Sequence, residues 1–197
     1  MKRHLLTVAL GLCVGMAGIA HADGWTLDGA SSTIAYGTIK SNEVGELNRF
    51  RTLSGSVSED GAVEIAIDLG SVDTMVDIRN ERMIEHVFKN APAATLTADL
   101  DMEKLNALGV GEISAVDVEA NLSLVGIDVP LDANLTIARL AEDRVFVTTT
   151  DMVMFHTADA ELDPAIDTLK ELAGLDIITR VAPVSMTLVF DAETPES

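Results

Sequence analysis

Three residues with soft-ligand side chains stand at alternate positions late in the chain: Met152, Met154 and His156. On an extended strand this spacing places all three on one face. Thioether sulfur and imidazole nitrogen together suit a soft metal or a haem-related redox centre. The competing reading is apolar packing, because methionine fills irregular interior space well. No neighbouring residue is placed to support such a ligand set from behind, so Met152 and Met154 are read as interior side chains and metal binding is the alternative. Nucleophilic chemistry has less to draw on. Beyond residue 22 there are two histidines, His86 and His156, with no cysteine, no Gly-x-Ser-x-Gly elbow and no phosphate-cradling glycine loop. The chain holds 32 Asp and Glu residues. Almost any two could be nominated as an acid–base couple, so the abundance carries no information. This pattern points to a binding protein, not an enzyme.

The elements that would carry these residues are mainly strands. In Ala62–Leu69 the residues Val63, Ile65, Ile67 and Leu69 alternate with Glu64, Ala66 and Asp68, and in Ala94–Leu100 the residues Ala94, Leu96, Ala98 and Leu100 alternate with Thr95, Thr97 and Asp99. Period two is the mark of a half-buried strand. Between them Met83, Ile84, Val87 and Phe88 fall at helical spacing, and Pro92 stops the segment. Further strands are expected at Trp25–Asp28, Thr33–Lys40, Phe50–Glu59, Glu112–Val125, Val129–Leu140, Arg144–His156 and Ala182–Ala192. Asp60-Gly61 is a tight-hairpin dipeptide, and a second turn is expected at Gly126-Ile127-Asp128. A second helix is expected from Asp163-Pro164 to Gly174: the aspartate caps it, proline fits its first turn and glycine suits its left-handed end. Eight or so antiparallel strands with two short inserted helices favour a closed barrel or a deep sandwich over an open sheet, since closure removes edges. Periodicity does not separate the two.

Met1-Lys2-Arg3-His4, an apolar run from Leu5 to Ile19 and the small-x-small site Ala20-His21-Ala22 read as a secretory signal peptide over residues 1–22. Cys13 lies within it, leaving the remaining 175 residues without disulfide or thiol chemistry. Residues 23–197 carry no linker-like tract or repeat and are read as one domain, not membrane-spanning. Removing Lys2 and Arg3 leaves 11 basic against 32 acidic residues, a net charge of −21. Such a field repels nucleic acid and anionic surfaces and keeps the chain in solution.

Several stretches carry a family resemblance. Ile67–Thr74 (Ile-Asp-Leu-Gly-Ser-Val-Asp-Thr), then Ile78-Arg79-Asn80-Glu81-Arg82-Met83, Phe88, and Pro92 with Ala94-Thr95-Leu96 resemble the signature of the YceI-like, polyisoprenoid-binding family. Leu122-Ser123-Leu124-Val125-Gly126 with Pro130-Leu131 is similar to that family's Leu-x-Leu-x-Gly-x-x-x-Pro hairpin. Leu169–Leu175 and Val181–Phe190 resemble the closing segment of some members. One departure is Ala91, where an aromatic often precedes the proline. The resemblance implies an antiparallel, lipocalin-like β-barrel that holds an isoprenoid chain in its lumen, is exported to the periplasm and often forms a homodimer.

On that resemblance the apolar faces become ligand candidates: Ile65, Ile67, Leu96, Leu122, Leu124, Leu131, Leu135, Met186, Leu188 and Phe190, with Met83, Phe88, Met152, Met154 and Phe155. Sequence alone assigns each of them to a core. Only seven aromatics follow residue 22, however, and smaller side chains around a barrel leave volume for a guest. Arg79 and Arg82 match the family's basic positions and are head-group candidates. The alternative is a helix-surface arrangement with Glu81 and Glu85, Arg82 and Glu85 being spaced i, i+3. Asp73 is expected to order the helix start. The expected guest is an isoprenoid-type lipid or quinone, with no other cofactor. The net negative charge favours a neutral head such as a quinone over a polyprenyl phosphate, unless Arg79 and Arg82 offset the repulsion.

Overall fold

In a computed structural model, described here over residues 24–193, twelve antiparallel strands build one continuous sheet. Residues 1–22, read above as a signal peptide, lie outside the described residues. The strands are β1 (Gly24–Leu27), β2 (Thr33–Lys40), β3 (Val44–Phe50), β4 (Leu53–Ser58), β5 (Ala62–Asp68), β6 (Val72–Asp73), β7 (Ala93–Asp99), β8 (Ile113–Leu124), β9 (Ile127–Ala141), β10 (Arg144–Thr149), β11 (Val153–His156) and β12 (Val181–Ala192). Neighbours run β1-β4-β5-β7-β8-β9-β10-β12, and β12 returns to β1 through Trp25↔Ala192 and Leu27↔Phe190. That contact closes an eight-stranded barrel, and the sandwich alternative falls. Beyond β1, β12 pairs with β2 through Val184↔Tyr36 and Thr187↔Thr33, and β2 pairs with β3. On its other edge β12 takes β11 through Val153↔Val184 and His156↔Val181. These additions raise the wall at one end.

The expected ladders of β5 and β7 lie side by side in register, with Ile65 opposite Leu96 and Ile67 opposite Ala94. Their inward residues are apolar because that face sees the interior, and Glu64 and Asp68 face water. The β8–β9 hairpin turns one residue earlier than expected. Leu124 pairs with Ile127 across a two-residue turn in which Val125 (φ 52°) and Gly126 (φ 84°) are both left-handed. Two positive φ values match the twist of adjacent strands. Gly55 of β4 lies between buried Leu53 and Val57, and a Cβ there would sit 2.4 Å from the Glu64 carbonyl oxygen. The wall leaves no room for a side chain at that point.

The first helical segment is α1 (Asp77–Arg82), which passes directly into a π-helical turn, Met83–Val87. The Phe88 amide donates to the Met83 carbonyl at 2.9 Å, and Lys89 and Asn90 then turn the chain in left-handed conformations. The wider turn gathers Met83, Val87 and Phe88 on the buried side. A short helix that periodicity does not reveal, α2 (Met102–Asn106), follows β7. The late helix, α3 (Asp163–Ala173), ends as expected at Gly174 with φ 63°. Its start differs: Leu162 holds the cap position, and the Asp163 carboxylate accepts from the Thr157 hydroxyl at 2.5 Å instead of capping its own helix.

Two strand boundaries are corrected. Phe50 ends β3, and a separate strand begins at Leu53, where one strand was expected from Phe50 to Glu59. The expected strand Arg144–His156 is interrupted at residues 150–152 without loss of phase. Replacing Gly55 with alanine drives the new methyl into the β5 backbone and is expected to lower stability by about 1–3 kcal/mol, read as a lower midpoint in chemical denaturation.

Candidate functional site

The inward side chains of the barrel do not meet in the middle. They surround a cavity of about 460 Å³ whose lining is overwhelmingly apolar, within the usual range for small-molecule sites. Alanines at inward positions, Ala94, Ala98, Ala120, Ala133 and Ala182, line it and hold it open. The structure places thirteen of the apolar residues named from sequence on this lining: Ile65, Ile67, Leu96, Leu122, Leu124, Leu131, Leu135, Phe155, Met186, Leu188, Phe190, Met83 and Phe88. Met102 and Leu105 of α2 line it too, as do Ile166 and Leu169 of α3.

Met152 and Met154 are corrections. They are 66% and 55% exposed and face outward. Alternation is the reason: Val145, Val147 and Thr149 of β10 line the cavity, Val153 and Phe155 of β11 continue that phase, and the even-numbered residues therefore point to water. Met152, Met154 and His156 do share a face, but it is the outer one. Assigning both Met154 and Phe155 to the lumen conflicts with the strand's own geometry.

Much of the polar lining is carried by β2, β3 and α1, with Asn106, Arg139, Thr149, Thr157 and Thr179 placed elsewhere on the lining. Opposed pairs on the first two strands run from Ile34↔Phe50 through Tyr36↔Asn48 to Thr38↔Glu46, an apolar-to-charged gradient along one inner face. Lys40 completes it. The Glu46 carboxylate pairs with Lys40 Nζ at 2.7 Å and with Arg79 at 2.9 Å. Burial pushes the Glu46 pKa upward, but the two cations outweigh it and hold the carboxyl below its usual range. Arg79 thus reaches across to β3, not to Glu81 or Glu85 on its own segment. Arg82 also lines the cavity, and no carboxylate pairs with it among the described residues. Asn80 orders the approach to α1, its Oδ1 accepting from the Thr74 amide at 2.8 Å and the Thr74 hydroxyl at 2.7 Å. Asp73 accepts from the Met75 amide at 2.8 Å and pairs with Arg51, so it orders the loop before the helix.

Deeper on the same face, the Tyr36 hydroxyl and Asn48 Oδ1 are buried without a hydrogen-bond partner. An unsatisfied buried group costs about 1–3 kcal/mol, which is tolerated at sites built to receive something. Burial drives the Tyr36 pKa far above the ordinary phenol range against a small opposing pull from Arg79, so the hydroxyl stays neutral. Tyr36, Phe50 and Phe88 stand in a chain, with ring centroids 5.7 and 5.8 Å apart.

A YceI-like domain model matches residues 25–176. The chain belongs to the YceI-like family. A solved polyisoprenoid binding domain from Saccharophagus degradans, implicated in plant cell wall breakdown, is 35% identical, with a TM-score of 0.84 over 87% of this chain and 99% of that one. BcnA of Burkholderia cenocepacia shares the fold at 17% identity and a TM-score of 0.63, over 83% of this chain and 98% of its own. No curated protein matches the chain significantly.

Within this YceI-like barrel, the feature that sequence reading missed is β3. Its inward residues are Glu46, Asn48 and Phe50, whereas Leu47 on the other face is 57% exposed. The strand's polarity is reversed, so a search for apolar interior ladders passes over it. The period-two run Glu46, Asn48, Phe50 was the available signal.

Because the Glu46 pKa is depressed in the folded chain, its contribution to stability is complete above the ordinary carboxylate range and is lost as pH falls through the folded value. Glu46→Gln is expected to be less stable than the parent by about 1–2 kcal/mol at pH 7. That gap should close in acid, where the parent's own Glu46 becomes neutral, as read from paired denaturation curves.

Proposed function

We propose that this protein holds an isoprenoid-type lipid in its barrel, tail in the apolar lumen and head near β2, β3 and α1, and that it carries, buffers or sequesters that lipid without chemical turnover. The observation that carries the reading is the unfilled, overwhelmingly apolar cavity with a charged-to-apolar gradient along its β2–β3 face. Support comes from the family and from the 35%-identical relative described as a polyisoprenoid binding domain. The leader read over residues 1–22 supports a periplasmic setting for this role.

The energetics are favourable. Each methylene-sized unit taken from water contributes about 0.8 kcal/mol, so a few prenyl units offset the cost of ordering the chain and reach micromolar affinity. Selection then falls on tail shape and on the head. The net charge of −21 that remains without residues 1–22 opposes an anionic head. Glu46 already engages two of the three cations lining the polar end, which leaves Arg82 as a weak offset. A neutral head such as a quinone therefore suits the site better than a polyprenyl phosphate.

Native mass spectrometry of the mature protein, isolated from an exporting host under mild conditions, is expected to show one added mass in the range of a prenylated lipid. Leu124→Trp, which fills the lumen from β8, should remove that adduct while the circular dichroism spectrum stays that of a β-barrel. A bare polypeptide that also fails to take up added prenyl lipid would refute the reading.

A further inference from the structure

The two unpartnered polar atoms of the lumen specify more than a lipid. Tyr36 and Asn48 are directly opposed across β2 and β3 and both line the cavity. Asn48 is only 2% exposed, and its Nδ2 donates to the Thr38 hydroxyl at 3.3 Å, which leaves Oδ1 as a free acceptor. The Tyr36 hydroxyl is the complementary free donor. No cation meets this demand: among the described residues no lysine or arginine donates to Asn48 Oδ1, and a cation cannot accept from a phenol. Alongside lie the rings of Phe50 and Phe88.

A donor beside an acceptor is matched by a group that is both. A neutral hydroxyl accepts from Tyr36 and donates to Asn48. A quinone carbonyl satisfies Tyr36 alone and sets its own lone pairs against Asn48 Oδ1. An ionised phosphate does the same and loses its hydration shell as well. A plain hydrocarbon satisfies neither atom. Sites built to hydrogen-bond a hydroxyl discriminate strongly against analogues that lack it, because their own buried polar groups are then left bare.

We propose that Tyr36 and Asn48 form a head-group subsite that selects an isoprenoid bearing a neutral hydroxyl, either a prenol or the reduced form of a prenylated quinone, over the phosphate, the oxidised quinone or the bare hydrocarbon. This rests on the lipid-binding reading above. No electron transfer is involved; the protein only distinguishes the forms offered to it.

The test is a ranking of affinities by calorimetry on the delipidated mature protein. The probes share one four-unit prenyl tail: the alcohol, the phosphate, the hydrocarbon, and a quinone offered oxidised or, under anaerobic reductant, reduced. The alcohol and the quinol are expected to bind about tenfold tighter than the hydrocarbon and the oxidised quinone, and tighter than the phosphate at physiological salt. A quinol that outranks the alcohol identifies the aromatic head as the intended guest. Equal binding of the two places the recognition in the hydroxyl alone, and either result supports the subsite. Tyr36→Phe, which keeps the ring and removes only the donor, should erase the preference, so that alcohol and hydrocarbon bind alike; Asn48→Leu should do likewise.

Equal affinity for alcohol and hydrocarbon in the parent protein, tightest binding by the phosphate or the oxidised quinone, or a preference that survives in a well-folded Tyr36→Phe protein would each overturn the subsite and leave lipid binding standing. Failure of every probe, hydrocarbon included, would overturn the lipid reading and the subsite with it. The ranking in the parent protein decides the matter even if a variant fails to fold.

Discussion

A closed antiparallel wall fixes the width of its own interior, and the side chains that point inward decide whether that interior is a core or a container. Here closure depends on β12 meeting β1 at Trp25↔Ala192 and Leu27↔Phe190. With the circumference set by eight strands, alanines on β7, β8, β9 and β12 leave a volume that larger residues would have filled. Dispersion contacts are forgone along that lining. The fold compensates through long strand ladders and a contiguous cluster of buried apolar side chains that includes Leu69, Val72, Val87 and Phe88. The empty space follows from residue size, not from any special backbone geometry.

The second organising feature is the reversal of polarity on β3. A strand that turns Glu46 and Asn48 inward and Leu47 outward runs against the ordinary partition of residues. Its position explains why it persists. β3 lies beyond the closed ring, joined to it through β2, and Arg79 of α1 reaches Glu46 on its inner face. The ion pairs among Lys40, Glu46 and Arg79 hold that end together, while the aromatic rings and the unpartnered Tyr36 and Asn48 mark the transition to oily wall. Charge, hydrogen-bonding capacity and apolar surface thus follow one another along a single inner face, the order that an amphiphile with a small polar head presents along its own length.

Much of this was legible in the residues. The ladders of β5 and β7, the Asp60-Gly61 turn, the left-handed stop at Gly174 and the mainly antiparallel architecture all follow from period-two patterning and turn chemistry. The YceI-like signature around Ile67–Thr74 and Arg79–Met83 converted a choice between barrel and sandwich into a barrel. What was not legible has physical causes. β3 disobeys the pattern because it serves the polar end of the cavity, and strands at functional sites are where local rules give way. α2 is five residues long, too short for helical periodicity to register. Met152 and Met154 were placed in the lumen by composition, yet the alternation of Val153 and Phe155 sends them outward. Arg79 looked like a helix-surface partner for nearby glutamates, and only the packing of α1 against β3 reveals Glu46, far off in sequence, as its counter-ion. Spacing within one element was readable; pairing between elements needed the fold.

The central claim is that the barrel's interior admits a hydrocarbon guest. A crystal structure of the mature protein grown with an isoprenoid hydrocarbon tests it most directly. The account predicts continuous ligand density between the Ile65–Leu96–Leu122 wall and the Met186–Leu188 wall, with the strands unmoved. A lumen closed by its own side chains, with the hydrocarbon bound on the outer surface or not at all, would contradict it.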